Sequence, residues 1–205
     1  MPFKNDHLSV SRLQAYEQCP RQFAFRYIDR TETGEKIPVD PDVDWAALEY
    51  GKAEHKTLED VYNWAVAIEF EGIVPETIFL EYYRKAFAES QCKTLDVFQY
   101  GVSDLRRFFQ VPIDYSKVLG VEEPIDVTWG DFKLVGYMDR VDIYENPKRI
   151  EVIDYKTNRL PYSEDETNNS LQAHVYAADL LDKHKDIEKI GFSFSFLRLG
   201  FSKRI

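Results

Sequence analysis

Two short segments carry residue types that suit metal-assisted hydrolysis of a phosphodiester. Gly136-Tyr137-Met138-Asp139-Arg140-Val141-Asp142 and Ile153-Asp154-Tyr155-Lys156-Thr157 each read as the end of a β-strand. Strand side chains alternate between faces, so Asp139 shares a face with Val135, Tyr137, Val141 and Ile143, and Asp154 and Lys156 share one with Ile150 and Val152. A carboxylate on an apolar face is costly to desolvate unless it is paired or bound to a cation. Oxygen donors suit hard cations such as Mg²⁺ or Mn²⁺. Such an ion supplies Lewis acidity and lowers the pKa of bound water. Lys156, two residues after Asp154, is close enough to meet a scissile phosphate or the attacking water.

Three further side chains extend the set. His55 lies upstream, and Gln172 and Tyr176 lie downstream, one helical turn apart. Each feature alone has a structural reading. Taken alone, Asp139 with Arg140 reads as a strand-end ion pair, Asp154 with Lys156 as a surface pair, an inward His55 as a core histidine, and Gln172 with Tyr176 as ordinary helix spacing. The joint occurrence in one order points to a metal-dependent nuclease.

These residues need elements to hold them. Ser11 followed by Gln14 reads as a capping box opening a helix with Leu13 and Tyr16 turned inward. Pro20–Tyr27 follows as a short second helix. Thr31–Asp44 reads as an acidic loop, with Asp44 capping a long helix from Trp45 to about Phe70. On that helix Trp45, Leu48, His55, Leu58, Tyr62 and Ala65 form one stripe. Gly51, one turn before His55, admits close approach of another backbone. Pro75 opens a helix to about Ser90, and another covers Leu95–Gln110. Then come strands at Lys117–Thr128, Phe132–Ile143 and Arg149–Thr157, turning near Gly130-Asp131 and Asn146-Pro147. A helix over Asn169–Lys183 and a strand over Ile190–Leu197 complete an α/β order.

Composition narrows the class. At 205 residues the chain suits a single domain, 1–205, with a mainly helical region over 1–111 carrying His55 and an α/β core over 112–205. The formal net charge of −10 stands against a generic duplex binder, although net charge does not report local patches. Acidic residues gather in Asp40–Asp44 and Glu164–Glu166, both read as loops. Cys19 and Cys92 make no disulfide framework, no apolar run is long enough to cross a bilayer, and Met1–His7 lacks a secretion signal, so a cytoplasmic location is expected.

The motifs resemble the RecB-like branch of the PD-(D/E)XK nuclease superfamily, which includes the nuclease domains of RecB and AddB and the CRISPR-associated exonucleases. The resemblance runs through Leu8-Ser9-Val10-Ser11-Arg12-Leu13 with Tyr16, Cys19-Pro20 and Phe23. It continues through Gly51 to His55 and Leu58-Glu59, then Gly136–Arg140, Asp154–Thr157, and Gln172 to Tyr176. It implies a restriction-endonuclease-like core, a mixed central sheet flanked by helices, with an N-terminal helical region. It also implies that His55, Asp139, Asp154 and the main-chain carbonyl of Tyr155 hold one or two Mg²⁺ or Mn²⁺ ions. Lys156 would position or activate the nucleophilic water, and Gln172 and Tyr176 would line the site and help hold DNA or Lys156. The implied activity is hydrolysis of DNA, as an exonuclease in repair, recombination or phage replication. DNA is the expected partner, single-stranded or at duplex ends, with a helicase or recombination protein beside it and no membrane.

Some relatives hold a [4Fe–4S] cluster with one cysteine near the start and three near the end. Cys19 matches the first, but no cysteine follows Cys92, so no cluster is expected in this chain and Cys19 is expected to pack as a small apolar residue. Relatives usually continue past the equivalent of Ile205, and the sequence leaves open whether a C-terminal segment with cluster cysteines is missing. Arg12, Tyr16 and Arg21 are candidate DNA contacts by stacking and charge. In the other reading of this segment, Phe23 and Tyr27 pack the helical part onto the core, and only some of the arginines touch phosphate. A different class of function, a non-cleaving DNA-binding or scaffolding domain of a helicase–nuclease complex, would be expected to have lost the ligands or the lysine, which are all present here.

Overall fold

The computed structural model describes residues 7–29, 34–35, 45–91, 94–112, 114–145 and 147–205. Most of the acidic loop over 31–44, the cap assigned to Asp44 and the position of Asn146 lie outside them. The strands are β1 (His7–Ser9), β2 (Val118–Trp129), β3 (Phe132–Glu145), β4 (Lys148–Lys156), β5 (Lys189–Phe196) and β6 (Phe201–Arg204). The helices are α1 (Val10–Gln18), α2 (Pro20–Phe23, continued by a π-turn over Ala24–Ile28), α3 (Trp45–Ala67), α4 (Glu76–Glu89), α5 (Leu95–Phe108), α6 (Glu164–Asn168) and α7 (Leu171–Lys183). The sheet runs β1-β3-β4-β5-β6, with β2 also on β3. It is mixed: β1 is parallel to β3, β3 antiparallel to β4, β4 parallel to β5, and β5 antiparallel to β6. This is the α/β class expected from the order of elements, with the mixed sheet that the resemblance implies.

The chain forms two compact units, each from three segments. One comprises residues 1–43, 124–137 and 170–185; the other comprises 44–123, 138–169 and 186–205. The units are thus interleaved along the chain.

In the first unit β1 leads directly into α1. The cap of α1 is Ser9, whose Oγ accepts from the Arg12 amide at 3.3 Å, so the helix begins before the expected Ser11 cap. Val10 and Ala15 are its buried residues, and Tyr16, expected to face inward, is 54% exposed. Cys19 also departs from expectation. It is exposed, and its Sγ accepts from the Gln22 amide at 3.4 Å, which caps α2 in front of Pro20 at N1. Phe23 is buried between Tyr16 and Tyr27, with ring centres at 5.5 and 5.1 Å. The downstream helix, α7, is capped by Ser170, whose Oγ accepts from the Ala173 amide at 3.3 Å.

In the second unit α3 packs against α4 and α5 over a core containing Leu58, Val61, Tyr62, Phe79, Tyr83 and Leu105. The stripe read for α3 holds at Leu58, Tyr62 and Ala65, all fully buried, whereas Leu48 is 46% exposed. β4 lies between β3 and β5, and Ile150 to Tyr155 are buried on both faces. Its facing therefore does not alternate between core and solvent, as is usual for a covered central strand. The alternating Phe192, Phe194 and Phe196 of β5 are buried as their pattern suggests. Among the described residues, short elements escape the sequence reading. β1 and β6 are short, and Glu164–Glu166, read as a loop, opens α6 through a capping box. There the Ser163 amide donates to Glu166 at 2.7 Å and the Glu166 amide to Ser163 Oγ at 3.1 Å. No described helix is long and apolar enough to cross a membrane.

Candidate metal centre

The acidic pair sits where two strands part. The β3–β4 register runs from Glu145↔Lys148 to Arg140↔Ile153, and the next position along it would set Asp139 opposite Asp154. There the Tyr155 amide donates instead to the Asp139 carboxylate, Oδ2, at 2.6 Å. β4 meanwhile stays paired with β5 through Lys156↔Phe196. A side chain has thus replaced a backbone partner, which satisfies the Tyr155 amide and anchors Asp139 at the point of divergence.

His55 reaches the same place from α3. Its Nδ1 lies 3.5 Å from Asp139 Oδ1, and its ring meets Tyr155 edge-on at 6.1 Å. About a third of the side chain is exposed. Beside it opens a cavity of about 490 Å³ lined by Leu48, Gly51, His55, Lys56, Glu122 and Thr157. Leu48 is exposed because it forms part of this rim. Gly51 does permit a close approach, but by a side chain rather than a backbone: a Cβ there would stand 2.9 Å from Thr157 Oγ1.

Lys156 and Asp154 form an ion pair at 2.6 Å, with side chains only 18% and 5% exposed. Lys156 Nζ also lies 5.9 and 5.5 Å from the rings of Tyr162 and Phe194. Burial alone would lower the lysine pKa, yet the Asp154 charge outweighs it and holds the ammonium well above its ordinary value. Burial raises the Asp154 carboxyl, against the pull of Lys156 and with a push from Asp139. For His55, burial pulls the pKa down, but Asp139 facing Nδ1 raises it above the usual histidine value.

Asp139 does not pair with Arg140, the structural alternative for that motif. Arg140 turns to Asp142, its Nη2 donating to Oδ2 at 3.0 Å. The second alternative is half right: Asp154 and Lys156 do pair, but as a buried couple.

The structure brings His55, Asp139, Asp154 and Lys156 together within one compact unit. Gln172 and Tyr176 belong to the other unit. Gln172 Nε2 donates to the Tyr176 hydroxyl at 3.0 Å, and that hydroxyl donates to the Tyr137 carbonyl at 2.7 Å. Tyr176 is 4% exposed and thus fastens β3 two residues before Asp139. Arg12 stacks over Tyr27 at 5.1 Å. Arg21 stacks over Phe25 at 4.1 Å and lies 3.6 Å from Asp29.

Sequence reasoning missed Glu122, half-buried on β2 at φ 51°, a backbone conformation few non-glycine residues adopt. Burial raises its carboxyl pKa, and the nearby charges of Asp139 and Glu59 raise it further. A positive φ leaves no mark in a sequence, so nothing there singled this residue out.

Among the described residues no three His, Cys, Asp or Glu side chains converge as a metal cage. Their donor atoms are turned on one another: His55 to Asp139, Asp139 to the Tyr155 amide, and Asp154 to Lys156. The donor chemistry nevertheless suits a divalent cation, with two carboxylates and an imidazole at a strand divergence beside open space.

Comparison with known proteins agrees. A family model described as the PD-(D/E)XK nuclease superfamily matches residues 7–200. No curated protein matches the chain.

Proposed function

The chain belongs to the PD-(D/E)XK nuclease superfamily, and from that premise we propose that it is a Mg²⁺- or Mn²⁺-dependent deoxyribonuclease. It would be an exonuclease of the RecB-like branch, acting on DNA ends or single strands in repair, recombination or phage replication beside a helicase or recombination protein. One observation carries the reading. In a single unit, at the point where β3 leaves β4, His55 faces Asp139, the Tyr155 amide holds Asp139, and Asp154 pairs with Lys156.

His55, Asp139, Asp154 and the Tyr155 carbonyl would hold the divalent ion. Bound there, it would supply Lewis acidity toward a phosphate oxygen and a more acidic water. The chain's own groups do the rest. Asp154 keeps Lys156 charged through neutral pH, so the ammonium acts as a fixed donor to the phosphate or the attacking water rather than as a base. The Tyr155 amide fixes the Asp139 carboxylate in one rotamer. Tyr176, with Gln172, holds β3 just upstream of Asp139. Arg12, Arg21 and the exposed ring of Tyr16 would contact the DNA.

The test is cleavage of end-labelled single-stranded, linear duplex and circular DNA with Mg²⁺ or Mn²⁺, with EDTA and Lys156→Ala as controls. We expect metal-dependent cleavage of the linear substrates, and a drop of at least about 10²-fold in Lys156→Ala with the fold retained. Full activity in that variant would remove Lys156 from the site. Cleavage of circular substrates would replace the exonuclease with an endonuclease.

A further inference from the structure

We propose that Arg140 is a positioning residue, a buried clamp that sets the geometry between the three elements carrying the candidate metal donors. The proposal rests on the reading of His55, Asp139 and Asp154 as those donors.

Arg140 directly follows Asp139 on β3 and points to the opposite face. Its side chain is 11% exposed. Nη1 donates to the hydroxyls of Tyr62 and of Tyr155, the latter at 3.2 Å. Nη2 donates to Asp142 Oδ2 at 3.0 Å, and Nε lies 3.0 Å from Asp142 Oδ1 without hydrogen-bond alignment. The guanidinium carbon also sits 4.7 Å from the centre of the Tyr62 ring.

The partners are informative. Tyr62 lies on α3, seven residues after His55 and so about two turns along the same helix. Tyr155 lies between Asp154 and Lys156 on β4, and its amide holds Asp139. One cation therefore ties together α3, β3 and β4, which supply His55, Asp139, and Asp154 with Lys156. A buried arginine needs a counterion, and Asp142 provides one. The two phenols add no charge balance. What they add is a fixed spacing between elements that are distant in sequence. The planar fork of arginine can serve three partners at set angles, whereas a lysine is a single point charge. Donor sets must be held to within roughly half an ångström, and groups that orient the ligands typically change metal affinity or activity about 10–100-fold when removed.

The experiment uses the full chain. Mn²⁺ affinity is measured by titration calorimetry, and kcat and KM by cleavage of labelled DNA. The variants are Tyr62→Phe, Tyr155→Phe and Arg140→Lys, with Asp139→Asn as the control for the site. The two Phe variants each remove one hydroxyl, leave every backbone donor in place and give a readout even if the arginine variant fails to fold. We expect each to keep a cooperative thermal transition, bind Mn²⁺ about 10-fold more weakly and lose kcat with little change in the KM for DNA. Arg140→Lys, where it folds, should show the same losses, since a point charge cannot replace the fork. Wild-type Mn²⁺ affinity and kcat in both Phe variants, while Asp139→Asn loses both, would overturn the clamp and leave the site standing. A loss of thermal stability alone in the Phe variants would overturn the clamp equally. Wild-type Mn²⁺ affinity in Asp139→Asn would show that the reading of the donors has itself failed, and the clamp would fall with it.

Discussion

His55 and Asp139 face each other at 3.5 Å, and the carboxylate raises the histidine pKa despite the opposing effect of burial. The stabilisation this gives is complete below the ordinary histidine pKa and is lost as pH rises through the raised value. A cation needs the neutral imidazole, so a proton competes with it over that same window. Mn²⁺ affinity should therefore climb with pH across the raised pKa, and binding should release protons to the buffer. Calorimetry in two buffers of different ionisation enthalpy reads that release. His55→Ala should flatten the dependence by about one proton. A variant as steep as the wild type would take His55 out of the donor set. The motif residues were legible because their types and spacing are chemical facts of the chain. Their partners were not: Arg140 reads as a neighbour of Asp139 but turns to Asp142, because alternation along a strand sends adjacent side chains to opposite faces.

At the scale of elements, the position of α3 against the end of β4 depends on Gly51. A Cβ there would meet Thr157 Oγ1 at 2.9 Å, closer than real contacts allow. Replacing a mid-helix glycine with alanine normally gains about 0.5–1 kcal/mol. Here the overlap, typically about 1–3 kcal/mol, should outweigh the gain, and Gly51→Ala should lower the thermal midpoint. The double variant Gly51→Ala, Thr157→Ala should recover it, since the obstructing hydroxyl is gone. If the single variant proves more stable than the wild type, the contact is soft and does not set the helix position. Long helices and strands with strong periodicity were readable, including α3, α4, α5 and β3. The short ones were not. β1 and β6 have too few residues to show a period, and Tyr16 and Leu48 sit on helices whose buried faces are set by packing partners that periodicity does not name.

At the scale of the whole molecule, one buried carboxyl among the described residues stands apart from any proposed role: Glu54, the residue before His55. It is fully buried, neither carboxyl oxygen has an aligned hydrogen bond, and the Tyr50 and Asp104 side chains that surround it bond to each other. Burial, reinforced by the Asp104 charge, raises its pKa well above that of an ordinary glutamate. Below about pH 4.5 the folded and unfolded chains both hold the proton, and Glu54 costs nothing by titration. Above that the unfolded chain ionises while the folded one does not, so stability falls with rising pH until the folded pKa is passed. Glu54→Gln should therefore stabilise the protein at pH 8 by on the order of 1 kcal/mol, with the gain shrinking toward pH 5. Thermal unfolding across that range tests it, and a gain independent of pH would mean that Glu54 does not titrate as argued. The sequence by itself determined the α/β class, the superfamily and the residue types proposed to do the chemistry, because periodicity and motif residues are local properties of the chain. Only the tertiary structure decided that β3 parts from β4 at the carboxylates and that the Tyr155 amide goes to Asp139. It alone decided that Arg140 joins three elements and that Glu122 joins the cavity beside His55. Each of these depends on contacts between residues far apart in the chain, which no local pattern encodes.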